Sequence, residues 1–142
     1  MLYKKYLKDM KSCPFCELSK DEILRQNDLA ILTMARAPYV KDHLLIVPKR
    51  HVIKLNKMTS EEKDAVEKLV YYGMNKLHRR YKDVTVLYKE GSKKGVGKSI
   101  DHLHYHLIPE LQIGSSKVNW ETRKLASDEK YREMVEGFKD RL

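Results

Sequence analysis

The stretch His102-Leu103-His104-Tyr105-His106-Leu107-Ile108 alternates imidazole with apolar side chains, and the run closes at Pro109. Successive side chains of an extended strand point to opposite faces. The alternation therefore predicts a strand with His102, His104 and His106 on one face and Leu103, Tyr105 and Leu107 on the other. One face suits a core; the other lays three imidazoles side by side under whatever covers it. A lone strand histidine is usually a structural residue. Three at a strict period of two repel one another when charged and need partners, which points to catalysis or metal binding.

A chain of 142 residues fits one domain with a real core, and residues 1–142 are expected to form one. The 29 Lys and Arg against 20 Asp and Glu give a formal net charge of +9, which favours anionic ligands such as phosphates and nucleotides. Base-stacking aromatics are not interleaved with a single basic run, so a nucleic-acid partner is disfavoured. No apolar run approaches a membrane span. The opening Met1-Leu2-Tyr3-Lys4-Lys5 lacks the apolar stretch of a secretory signal, and the only two cysteines form one Cys-x-x-Cys. A cytoplasmic setting is the expectation.

Residues 1–12 read as a basic arm or frayed helix, and Cys13-Pro14-Phe15-Cys16 as a tight turn. Leu29–Met34, His43–Val47 and Val84–Tyr88 read as strands, the second ended by Pro48, which cannot donate to a ladder. Thr59-Ser60-Glu61-Glu62 is a capping box, and Ala65, Val66, Leu69, Val70, Met74 and Leu77 recur at helical spacing to about Tyr81. His78 falls on that helix's surface. A second helix is predicted over about Asp128–Lys139. One long helix among strands adjacent in sequence implies α+β with an antiparallel sheet.

The loop Gly91–Lys98 resembles a P-loop, but Ser92 stands where the motif needs its first glycine, and a strand rather than a helix follows. A P-loop is rejected. Backbone amides near Gly97 and the Lys98 ammonium, beside a histidine row, still suit a phosphate. Cys13 and Cys16 are compatible with a redox pair, a structural pair or half a metal site; zinc would need two further N or S ligands.

The segment Gly97-Lys98-Ser99-Ile100-Asp101-His102-Leu103-His104-Tyr105-His106-Leu107-Ile108-Pro109 resembles the signature of the histidine triad (HIT) superfamily. His43-Leu44-Leu45-Ile46-Val47-Pro48-Lys49-Arg50-His51 is similar to the strand and Pro-Lys-Arg-His that precede it, and zinc-containing members begin with a Cys-x-x-Cys. The resemblance, over roughly residues 13 to 110, implies a HIT-like sheet of about five strands with one long and one C-terminal helix, in a homodimer. It implies His104 as the nucleophile on an α-phosphorus and His106 as its catalytic partner, with His43, Gly97, Lys98 and Ser99 holding the phosphate. It also implies a structural zinc on Cys13, Cys16, His51 and His102.

Three positions depart from the family pattern. Lys98 replaces a frequent glutamine, Glu110 stands where arginine is common, and Ala35 occupies the place of the ribose-binding Asp or Asn. His106 argues against the branch with glutamine as third motif member, which performs phosphorylase or uridylyl transfer. The expected activity is nucleotide hydrolysis or nucleotidyl transfer on a phosphoramidate or dinucleoside polyphosphate through a nucleotidyl-histidine. A nucleotide-binding signalling module with little turnover, or a hydrolase of adenylated nucleic-acid ends, are the alternatives.

Overall fold

The computed structural model describes residues 2–111 and 124–140. The chain divides into two compact units, residues 1–111 and 112–142. The first carries α1 (Tyr3–Asp9), β1 (Ile23–Gln26), β2 (Ala30–Met34), β3 (Leu44–Pro48), α2 (Ser60–Leu77), β4 (Val84–Tyr88), α3 (Lys93–Val96) and β5 (Tyr105–Pro109). The second carries α4 (Asp128–Lys139). Among the described residues no helix is long and apolar enough to cross a membrane.

The strands form one antiparallel sheet in the order β1-β2-β3-β5-β4. β3 lies at its centre and all five of its residues are buried. Alternation divides the sheet into two faces. Ala30, Leu32, Leu44, Ile46, Leu103 and Leu107 join Val66, Leu69 and Leu77 of α2 in the main core. Ile31, Leu45 and Val47 point the other way and pack with Phe15 and Ile100. His43 and His106 share the parity of Leu45, so the imidazoles stand on the face that α2 leaves open.

α2 starts where its capping box predicts. The Thr59 hydroxyl accepts from the Glu62 amide, and Glu62 reaches back to the Thr59 amide. It ends at Leu77, four residues before the expected limit, and the chain turns through His78 to Tyr81. Gly73 lets it approach the sheet: a Cβ there would lie 2.6 Å from Leu107 Cδ1.

Three other boundaries differ from expectation. The histidine run becomes ladder-paired only at Tyr105; His102 and His104 precede β5, in a segment tied down by Leu103 N–H donating to the Val52 carbonyl. Its alternation persists, with Leu103 in the α2 core. β1 has no counterpart in the sequence reading, because only Ile23 of its four residues is shielded. The glycine loop holds a single helical turn, Lys93–Val96, capped by the Ser92 side chain and closed by Gly97 at φ 74°.

Candidate active site and metal cluster

β3 and the histidine segment bring His43, His104 and His106 together. The ring centroids of His104 and His106 are 4.9 Å apart, and those of His43 and His106 5.1 Å. Fixed backbone groups assign each ring its tautomer. The His102 carbonyl, 2.7 Å from His104 Nδ1, can only accept, so His104 carries its proton on Nδ1 and keeps a lone pair on Nε2. The Tyr39 amide, 3.2 Å from His43 Nδ1, can only donate, so His43 carries its proton on Nε2. That proton is directed at His106 Nδ1, 2.9 Å away, which leaves His106 with a donor N–H on Nε2. One ring thus presents a nucleophilic nitrogen and its neighbour a hydrogen-bond donor.

Burial keeps these rings neutral. His43 is lowered to about 4, chiefly by desolvation and then by His104. His106 is lowered to about 3 by desolvation, then by the charges of His104, His43 and Lys89. His104 is also lowered by burial, against the opposing bond to the His102 carbonyl.

The rings open on a cavity of about 510 Å³, also lined by Tyr3, Tyr6, Phe15, Ala35, Arg36, Tyr39, Lys93, Gly97 and Ser99. The Ser99 hydroxyl shares a 2.7 Å hydrogen bond with the Tyr3 hydroxyl, so α1 closes one wall. The Gly97 amide is spent inside the short helix, donating to the Lys93 carbonyl. Lys98 is buried and does not line the cavity; its ammonium lies 3.4 Å from the Ile53 carbonyl. Among the described residues, the cations that do line the cavity are Lys4, Arg36 and Lys93. Sequence reasoning passed over Tyr3, which lies outside the motif and is brought in only by the fold of α1. Ala35 lines the cavity with nothing but a methyl group.

Cys13, Cys16, His51 and His102 form a second cluster whose ligand atoms all lie within 4.8 Å of one another. His102 donates Nε2–H to the Pro48 carbonyl at 2.7 Å, which frees Nδ1 to face Cys13 Sγ at 3.4 Å and Cys16 Sγ at 3.5 Å. His51 Nδ1 is 3.2 Å from Cys16 Sγ. A tetrahedral zinc with bonds of roughly 2.3 Å to sulfur and 2.0 Å to nitrogen has an S···N edge of about 3.5 Å. The donor set and spacing therefore fit such an ion. Without a cation, burial and the Cys13 thiol push the Cys16 thiol up to about 11; a metal ion reverses that penalty. The loop carrying His51 is anchored by Arg50, whose Nη2 donates to buried Glu62 at 2.7 Å and to the Lys57 carbonyl at 2.8 Å. The cluster and the histidine site meet at Phe15, whose ring lies 5.1 Å from that of His104 and 5.8 Å from that of His102.

The chain has relatives. An adenosine 5'-monophosphoramidase of Schizosaccharomyces pombe is 25% identical over 126 residues, covering 83% of this chain and 90% of that protein. One from Xenopus tropicalis is 29% identical over 113 residues, covering 72% and 71%. A histidine triad nucleotide-binding protein from Candida albicans superposes with a TM-score of 0.68 at 24% identity, over 92% of this chain and 96% of that one. The HIT domain family matches residues 17–113, which contain β1 to β5, the histidine site and both histidines of the metal cluster. The chain belongs to the HIT family.

Proposed function

We propose that the protein is a nucleotide hydrolase or nucleotidyl transferase that cleaves at an α-phosphorus through a covalent intermediate on His104. The observation that carries this reading is the tautomer assignment: a lone pair on His104 Nε2 beside a donor N–H on His106 Nε2. His104 Nε2 attacks phosphorus, and the positive charge that develops on the ring is stabilised by its Nδ1–H on the His102 carbonyl. His106 donates to a phosphoryl oxygen as charge builds there, and Ser99 supplies a further donor. The bond from phosphorus to the leaving group breaks with its electron pair on that group. Water then bonds to phosphorus as the N–P bond breaks, and the water's proton passes to solvent. The relatives named as monophosphoramidases support this class of chemistry.

A zinc ion on Cys13, Cys16, His51 and His102 would have all four positions filled by protein. It would therefore cross-link the N-terminal turn to the histidine segment without activating water. A second copy of the chain would cover the free edge of β4 and the adjoining face of α2. There Tyr71 is 59% and Val86 46% exposed beside an apolar hollow. Light scattering at a monomer mass would refute that part.

The experiment for the activity is product analysis on a panel of nucleoside phosphoramidates and dinucleoside polyphosphates, with wild type and His104→Ala. Loss of turnover in the variant is expected, and unchanged turnover sinks the assignment. Ala35 favours one second reading, a nucleotide-binding module with little turnover. Calorimetry showing tight nucleotide binding with no product after long incubation would favour it.

A further inference from the structure

We propose that Asp42 and Tyr81 are positioning residues for the histidine site. The hydrogen bond between them fixes the loop that sets the tautomer of His43 and, through it, the donor on His106. The tautomer claim stands on geometry alone; its effect on rate rests on the reading of His104 as nucleophile.

Residues 35–43 join β2 to β3, and the loop is closed by the Ala35 amide donating to the His43 carbonyl at 2.9 Å. Asp42 stands at φ 64°, in the left-handed region that a non-glycine residue seldom occupies. Glycine would adopt that backbone at no steric cost; aspartate adds a carboxylate. The carboxylate accepts from the Tyr81 hydroxyl at 2.5 Å. Tyr81 is a firm anchor: its amide donates to the Leu77 carbonyl at 2.9 Å, and its ring packs on the main core. Among the described residues, no other hydrogen bond ties residues 37–42 to an element outside the loop. Tyr39 is 58% exposed, so burial does little to hold its amide on the His43 ring.

The anchor matters because a neutral imidazole has one donor and one acceptor, and the choice at one ring passes to the next. The Tyr39 amide, 3.2 Å from His43 Nδ1, requires a lone pair there, so the His43 proton sits on Nε2 and is directed at His106 Nδ1, 2.9 Å away. His106 Nε2 then carries the hydrogen offered to a phosphoryl oxygen. With the loop displaced, His43 Nδ1 is free to carry the proton instead. His43 Nε2 would then accept from His106 Nδ1, and His106 Nε2 would turn a lone pair toward an oxygen that needs a donor. Each ring exchanges one N–H for the other through water, with no change of net charge. The Tyr39 ring, stacked on His43 at 5.4 Å and 11°, belongs to the same loop.

The test reads the tautomers directly, by long-range proton–nitrogen NMR of the imidazoles in the full chain at pH 8. Wild type should show His43 and His106 each with the proton on Nε2. Tyr81→Phe keeps the ring in the core and removes only the hydroxyl; Asp42→Gly suits the left-handed backbone and removes only the carboxylate. Both should show mixed tautomers at His43 and His106. Asp42→Asn keeps an acceptor oxygen and tolerates the same backbone, and should restore the wild-type pattern. On a nucleoside phosphoramidate, Tyr81→Phe and Asp42→Gly should each lower kcat about fivefold, the worth of one hydrogen bond, with KM changed less than about twofold. Wild-type tautomers in Tyr81→Phe and Asp42→Gly overturn the proposal, even if kcat falls, and so does a failure of Asp42→Asn to rescue. Mixed tautomers with kcat unchanged overturn the link to the His106 donor. If the tautomers mix as expected but wild type cleaves no substrate, the hydrolase reading fails and the positioning pair stands.

Discussion

The His43–His106 pair makes the fold sensitive to acid, and replacing His43 should remove a measurable share of that sensitivity. Both rings are neutral in place, with His43 at about 4 and His106 at about 3 against an ordinary 6.5. In the unfolded chain both take up protons near pH 6.5. Between there and pH 4 the unfolded chain thus binds more protons than the folded one. Stability falls as the pH drops through that window and is recovered above it. At pH 5 the solution is about 1.5 units below the unfolded value of either ring, which at 1.36 kcal/mol per unit amounts to about 2 kcal/mol per histidine. Urea melts of wild type and His43→Gln from pH 8 to pH 5 isolate this contribution, because every other acid-sensitive group is common to both proteins. Wild type should lose about 2 kcal/mol more than the variant over that range. A difference that does not change with pH would mean that His43 is charged in the folded state, and the hydrogen-bond chain through His106 would be wrong.

Zinc at a thousandfold excess over its dissociation constant should raise the unfolding free energy by about 4 kcal/mol, and Cys16→Ser should abolish the effect; identical melts with and without zinc would remove the metal. Gly73→Ala should destabilise by about 1 kcal/mol in urea. Overpacking against Leu107 costs about 1–3 kcal/mol, and the gain in helix propensity offsets about 1 kcal/mol of it. A stabilised variant would show that α2 can lift off the sheet freely. Tyr3→Phe removes the partner that orients the Ser99 hydroxyl. It should lower kcat about fivefold, the worth of one neutral hydrogen bond formed as charge builds on the phosphoryl oxygen, and an unchanged kcat would count against Ser99 as a phosphate ligand.

Much of this site was legible because period-two patterning survives even where the ladder does not. His102 and His104 lie outside β5, yet Leu103 still turns into the α2 core and the rings still turn away from it. The capping box was equally local: Thr59 and Glu62 satisfy each other without help from the rest of the fold. The metal quartet was named through family resemblance, since two cysteines near the N-terminus carry no sign of which histidines they meet. β1 was missed because an edge strand with one shielded residue has no pattern to find. Its register is pinned by Asn27, whose side chain accepts from the Leu29 and Ala30 amides. The placement of Lys98 away from the cavity has the same origin: residues 97–101 follow no regular period, so side-chain direction cannot be counted along them.

The claim on which the account turns is that His104 Nε2 bonds to phosphorus. Rapid-quench mass spectrometry of the protein with a dinucleoside polyphosphate addresses it directly. The account predicts a transient gain of one nucleotidyl group, acid-labile and mapping to the peptide that contains His104, and absent from His104→Ala. Turnover without any adduct, or an adduct on another residue, would contradict it.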